Sequence, residues 1–465
     1  MQVDEQRIAT IVEEVLRQLK GDAGKGAAES GQDGIFTSVD AAAQAGWTAQ
    51  KELATMSLEA RQRIIDAIRE AGVANAEDFA RKTVDETGLG RYEHKIQKNI
   101  NAARLSPGTE DLAPKIQGGD HGITITQRVP YGLIVSITPT THPTPFVINH
   151  AIIMLAGGNT VFFCPHPRAQ HCSREAIQIL NRAIVAAGGP RNCLVAVNEA
   201  TLDVVNAACR HPLVAMVTAA GGPGVVKAAL TCGKKAVAAG AANPPVLVDE
   251  TADIAKAAQD ILRGSWFDNN VLCISEKTVF AVRPIVAELV AEMQKHGAYL
   301  LKGAEAEKVT QLVTKDGRVV GDWVGKDGVA ILRAAGISPP PGTEGAIMQV
   351  GYDHPLVKIE QMLPVLPIVT VESFSEGLEL AFATEQGFGH TAIIHSRDVD
   401  RIAVYARKLS TTIVVANAPS FASLGIEGNS NFAHTIASPT GEGICGPQTY
   451  TRQHNVTIAG GLGLA

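Results

Sequence analysis

Between Gly132 and Gly240 the chain sets down five short, almost unbroken apolar runs: GLIVSIT (132–138), NTVFFC (159–164), LVAVN (194–198), LVAMVTA (213–219) and KKAVAAG (234–240). A strand with one wet face alternates apolar and polar residues; one that is apolar throughout must be covered on both sides. Runs of this kind separated by helical stretches predict a parallel sheet with helices on both faces. The alternation pauses at Pro244-Pro245, restarts with VLVD (246–249) and continues to about residue 430. At 465 residues the chain exceeds one ordinary core. The expected fold class is therefore α/β, with two α/β domains built on parallel-type sheets.

The flanks read differently. From residue 35 the chain is helical, with Ser38 and Ser57 as N-caps and Gly72 and Gly88 as stops. Residues 111–130 alternate polar and apolar side chains, as an exposed hairpin does. The last 30 residues return to Thr- and Gly-rich extended character. Before all of this, Ile8, Ile11, Val12, Val15, Leu16 and Leu19 form one apolar helical stripe in residues 1–20. A Gly-rich linker, 21–34, follows. A short helix on a tether cannot bury its own stripe, so it docks either on its own assembly or on another protein by helix-in-groove recognition.

Composition excludes several classes. A net charge of −6 without a basic stripe speaks against nucleic acid as a partner. No apolar stretch approaches the roughly 18 residues that span a bilayer, which predicts no membrane association. Seven cysteines without a C-x-x-C pair suit a reducing, cytoplasmic setting without disulfides or zinc. No G-x-G-x-x-G follows a strand, so the usual dinucleotide fingerprint is missing, and no G-x-S-x-G elbow occurs; without H-E-x-x-H, and with 13 His that do not cluster at ligand spacing, no metal site is expected.

Four local sequences carry the chemistry. ITPTTHP (137–143) and CPHP (164–167) each follow a buried strand. GGPG (221–224) opens a helix, where a phosphate can bind. SWFDNNVLC (265–273) is apolar and amide-rich and ends in Cys273. Open α/β sheets bind ligands at the carboxyl ends of their strands, so three such loops on one sheet reinforce each other.

Taken in order with IEQMLPVLP (359–367), these segments resemble the aldehyde dehydrogenase superfamily. GAANPPVLVDETAD (240–253), FDNNVLC followed by SEK, GHTAIIHS (389–396) and SPTGEG (438–443) are similar to its CoA-acylating branch from bacterial microcompartments, the propionaldehyde and acetaldehyde dehydrogenases. The resemblance runs from about 35 to about 450. It implies an aldehyde dehydrogenase-like fold, with a cofactor-binding domain at 35–110 and 130–242 and a catalytic domain at 243–430. Segments 111–129 and 431–465, the first a small hairpin, are implied to bridge subunits of a homo-dimer or homo-tetramer. Residues 1–20 become an address for a shell or cargo protein, placing the enzyme in a microcompartment of the bacterial cytoplasm.

Carried over residue by residue, the resemblance makes Cys273 the nucleophile. It sets Ile137, Thr138, Pro139, Thr140, Pro165 and His166 on the nicotinamide and adenosine sides of NAD, and Gly221 and Gly222 near its pyrophosphate. Glu360 falls on the carboxylate that holds the nicotinamide ribose, and Gly240 follows in the cofactor cleft. Three departures matter. Ala239 stands where hydrolytic relatives carry the Glu that activates water. Thr140-Thr141 replaces a Trp-Asn pair, which leaves Thr141 and His142 as candidates for the second oxyanion donor. Cys164 replaces a ribose-binding Lys, which leaves the choice of NAD or NADP open. The implied reaction joins a short aldehyde (propionaldehyde, with acetaldehyde as the alternative) to coenzyme A through an acyl-Cys273 thioester. A hydrolytic semialdehyde dehydrogenase and a silent cargo protein are the rivals.

Overall fold

The computed structural model describes residues 31–460; the amphipathic segment 1–20, the linker up to residue 30 and residues 461–465 lie outside the described residues. Two large sheets follow one another along the chain, strands up to Ala239 in the first and strands from Pro245 in the second. The first, read across, runs Ile35–Phe36, Leu194–Val197, Thr160–Cys164, Leu133–Ile137, Val214–Ala220, Lys235–Ala239, and every pairing is parallel. The second runs Ala298–Leu301, Gly345–Val350, Val365–Val371, Thr278–Val282, Pro245–Val248, Thr391–His395, Ile413–Ala416, again parallel throughout. All five apolar runs of the sequence are strands of the first sheet, and VLVD supplies a central strand of the second.

Strand order positions the site. From Leu133–Ile137 the chain moves to one side for its next two strands, then crosses to the other side for Val214–Ala220. The loops leaving Ile137 and Ala220 therefore diverge at a topological switch point, where a crevice opens outside the carboxyl ends of the strands. Helix Pro143–Ala156, which follows the ITPTTHP loop, is buried along its entire length. That explains why it shows an apolar run rather than a stripe. One apolar cluster joins the two sheets, with Ile134, Val161 and Leu194 from the first and Val246, Phe280 and Ile393 from the second.

The helical start behaves as its caps require, with one correction. The Ser38 hydroxyl accepts from the Ala41 N–H and that of Ser57 from the Ala60 N–H, each at 3.2 Å. Gly88 ends helix Ala76–Thr87 in the left-handed conformation. Gly72 does not end its helix; it is buried inside Leu58–Ala74, and Asn75 is the cap. A Cβ at 72 would lie 3.0 Å from that of Ala103, so the glycine serves close helix packing instead.

Residues Lys115–Gly119 and Gly122–Pro130 form the expected hairpin. Thr451–Ala459 pairs antiparallel with its second strand to make a third, three-stranded sheet. Lys115–Gly119 is fully exposed at one edge.

Candidate functional site

Four loops leave neighbouring strands of the first sheet at the same end. Ile137 lies in register with Cys164 on one side and Ala219 on the other. Thr138–Thr141, Pro165–His166, Gly221–Gly222 and Gly240 all follow directly from those strands and from Lys235–Ala239. The Thr138 N–H donates to the Cys164 carbonyl at 3.1 Å, while its hydroxyl is buried without a partner among the described residues. His166 is used locally, its Nδ1 accepting from the Arg168 N–H at 3.1 Å. Around Gly222 and Gly224 there is open space where side chains would otherwise stand, and Gly222 caps helix Pro223–Leu230.

Cys273 is held by an unusual stretch of backbone. Asp268, Asn269 and Asn270 all lie in the left-handed region, with φ of 53°, 55° and 69°. Asp and Asn enter that region more readily than other side chains apart from Gly, which is why an Asp-Asn-Asn run can make this turn. Each side chain is then fixed by a different partner. Asn270 Nδ2 donates to the carbonyls of Ser265 (2.7 Å) and Glu276 (3.0 Å), and its Oδ1 accepts from the buried ammonium of Lys277. Asn269 Nδ2 donates to the Gly325 carbonyl at 3.0 Å, and its Oδ1 accepts from Arg91 Nε at 2.7 Å.

Asp268 is fully buried and binds both Lys95, at 2.7 Å, and Lys98. These lysines project from one face of helix Tyr92–Leu105, three residues apart. Lys95 also donates to the Thr141 carbonyl at 2.7 Å, and Lys98 to the Val271 carbonyl at 2.8 Å. One ionic cluster thus ties the loop that leads to Cys273 to the loop carrying Thr141 and His142. Gly90 makes room for it, since a Cβ there would stand 2.0 Å from the Asp268 carboxylate. The sequence reading missed Asp268, Lys95 and Lys98. Two lysines at i and i+3 look like a solvated helix face, and their partner lies about 170 residues away in the chain.

The charges around the sulfur oppose one another. Cys273 is densely surrounded yet keeps partial solvent access. Burial, with the nearby Glu360 carboxylate, pushes its thiol up to about 11, while Lys277 and Lys98 pull it back. Lys277 is itself lowered to about 8 by burial, against the pull of Glu360, Cys273 and Glu276. Glu360 is raised by burial and opposed by Lys277 and the Ala242 N–H. Cys273, Lys277, Glu360 and the segment after Gly240 therefore converge. Glu276, raised to about 7 by burial, accepts from the Ser420 N–H and hydroxyl, each at 2.8 Å. His390 is also buried and feels Lys277, and burial lowers it to about 4.

Thr141 and His142 are linked to each other through Thr141 Oγ1 and His142 Nδ1 at 2.8 Å. His142 stacks on His434 with centroids 4.7 Å apart, and burial keeps both imidazoles neutral. Ala239 packs its methyl group against Phe146 and Ala220 and offers no proton acceptor. Trp266, Phe267 and Phe421 share one cleft of about 340 Å³ with His94 and Ile426, Phe267 lying between His94 (4.7 Å) and Phe421 (5.8 Å). Burial pushes Cys172, Cys209 and Cys445 to about 12 and raises Cys164 and Cys193 further, while Cys232, like Cys273, is partly exposed.

Known proteins resemble this chain over most of its length. A model of the aldehyde dehydrogenase family matches residues 30–429. An acetaldehyde dehydrogenase (acetylating) of Bilophila wadsworthia is 41% identical, with 97% of each chain covered. The structure of a propionaldehyde dehydrogenase from the Clostridium phytofermentans fucose utilisation bacterial microcompartment superposes with a TM-score of 0.91 at 43% identity, over 93% of this chain and all of that one. A Rhodopseudomonas palustris propionaldehyde dehydrogenase with bound CoA and an acylated cysteine superposes with a TM-score of 0.90 at 41% identity, over 92% of this chain and 98% of that one. The chain belongs to the aldehyde dehydrogenase family, among its CoA-acylating members.

Proposed function

We propose that the protein is a CoA-acylating aldehyde dehydrogenase that converts a short aliphatic aldehyde, propionaldehyde in first place and acetaldehyde next, into its acyl-CoA. The observation that carries this reading is the half-accessible Cys273 on a loop pinned by buried ion pairs, with no proton acceptor at Ala239.

The Cys273 thiolate adds to the aldehyde carbonyl and makes its carbon tetrahedral, from which hydride departs readily. The Cys273 N–H and a donor from Thr141 or His142 steady the oxyanion. A nicotinamide cofactor, when bound, supplies the hydride acceptor. The crevice suits such a group: the Thr138 hydroxyl has no partner among the described residues, Gly222 and Gly224 leave space at a helix start, and Glu360 stands beside Cys273. Ile137, Pro139, Thr140, Pro165, His166, Gly221 and Gly240 complete its walls. Loss of hydride leaves an acyl-Cys273 thioester. With no glutamate at position 239 to activate water, the thiol of CoA attacks that carbonyl, the Cys273 sulfur leaves, and acyl-CoA is released.

The test is product identification by mass spectrometry. Acyl-CoA should form only with aldehyde, cofactor and CoA together, and Cys273→Ala should abolish it while Cys172→Ala does not. An active Cys273→Ala enzyme would refute the mechanism.

Residues 1–20 act in this reading as an address that brings the enzyme into a microcompartment of the bacterial cytoplasm by docking on a shell or cargo protein. A chain starting at Gly34 should keep its activity and melting temperature and lose enclosure. Unfolding on truncation would contradict that role. The exposed edge strand Lys115–Gly119 suits pairing between subunits of a homo-dimer or homo-tetramer.

A further inference from the structure

We propose that Lys98 is the electrostatic partner of the Cys273 sulfur, a positioning residue whose ammonium favours the thiolate while its hydrogen bonds hold the loop in place. The inference rests on the reading of Cys273 as nucleophile. It starts from a mismatch of charge: two buried ammonium groups, Lys95 and Lys98, share a single buried carboxylate, Asp268. When both are protonated the cluster carries one surplus positive charge. A buried charge without a counter-charge is costly, so the cluster gains by having an anion form nearby.

The geometry says where that anion belongs. Lys95 spends its second bond on the Thr141 carbonyl. Lys98 spends its own on the Val271 carbonyl, two residues before the nucleophile. The remaining charges are accounted for. Cys273 faces Glu360, Lys277 and Lys98, and of these only the lysines favour its thiolate. Lys277 is committed to the Asn270 side chain and to the carbonyls of Asn270 and Leu272, and it also faces Glu360 and Glu276. Lys98 faces Asp268, Lys95 and Cys273, while His94, His142 and His434 beside the cluster are kept neutral by burial.

Burial lowers Lys98 to about 7, and a negative charge at Cys273 raises it again. The two groups therefore titrate as a pair. When the thiol passes its proton to solvent or to a neutral Lys98, the new anion holds Lys98 in its charged form. The same charge serves the oxyanion once sulfur has added to the carbonyl, since the negative charge moves only by a bond or two.

The experiment is the pH profile of alkylation by iodoacetamide, with the labelled peptide mapped by mass spectrometry, in the full-length enzyme and in Lys98→Met, Lys98→Gln and Lys98→Arg. A nearby opposite charge shifts a pKa by about 1–3 units, so the neutral variants should alkylate at least about tenfold more slowly near neutral pH. They should recover the original rate at high pH, and Lys98→Arg should restore much of the neutral rate. A loss of rate that is uniform across pH, or an unchanged profile in the folded Lys98→Gln enzyme, would overturn the electrostatic role and leave Cys273 untouched. Labelling at a different cysteine would instead overturn the reading of Cys273 itself. If Lys98→Met does not fold, Lys98→Gln and Lys98→Arg decide.

Discussion

The turn at Gly221–Gly224 and the loop at Phe267–Cys273 both serve the same cleft in this account, yet they are built in opposite ways. The first is half open, with free space around Gly222 and Gly224, and its shape follows from residues adjacent in sequence. The second is buried between its two ends, turns through three successive left-handed residues, and is fixed by side chains from helix Tyr92–Leu105, by the Ser265 carbonyl and by Lys277. A cofactor that binds and leaves needs an accessible cradle. A nucleophile that must meet a carbonyl within a fraction of an ångström needs a loop that cannot relax, and here long-range ionic contacts supply the rigidity.

That contrast breaks first at Asp268. Asp268→Ala leaves two buried ammonium groups without their carboxylate, and breaking a buried pair costs about 3–5 kcal/mol. Urea unfolding should show a loss of that size, and activity should vanish with the loop's geometry. A variant of near-native stability would mean that the cluster does not hold the loop.

Gly264→Ala should have the next largest effect. The added Cβ would stand 2.2 Å from the Glu276 carboxylate, displacing it from Ser420. Overpacking of this kind costs about 1–3 kcal/mol, readable as a lower urea midpoint. Gly222→Ala is the mildest. Its φ of −66° suits any residue and nothing lies within 4 Å of the new methyl group, so stability should stay within about 0.5 kcal/mol. Its effect should appear in the KM for cofactor, whereas Gly264→Ala should lower kcat. If Gly222→Ala destabilised the protein as much as Gly264→Ala, the two loops would not differ as described.

The same contrast explains what could be read from the sequence. Strands 133–137, 160–164 and 214–220 announce themselves because a parallel strand buried on both faces has to be apolar, and their loops follow from where the strands end. Ser38, Ser57 and Gly88 announce caps because capping is local. Gly72 misled because helix stops and close helix packing select the same residue, and only the neighbour, Ala103, tells them apart. The Cys273 loop was legible as a motif through resemblance, but what holds it was not. Lys95 and Lys98 find Asp268, and His142 finds His434, across distances in the chain that no local pattern records.

The central claim, that Cys273 passes its acyl group to CoA rather than to water, is tested most directly by a progress curve without CoA. General-base assistance is worth about 10²–10⁴-fold, and Ala239 offers none. Enzyme mixed with NAD and propionaldehyde should release one burst of NADH equal to its active sites and then nearly stop, with the acyl adduct on the peptide containing Cys273. Addition of CoA should restart turnover. Sustained release of NADH and free propionate in the absence of CoA would contradict the account.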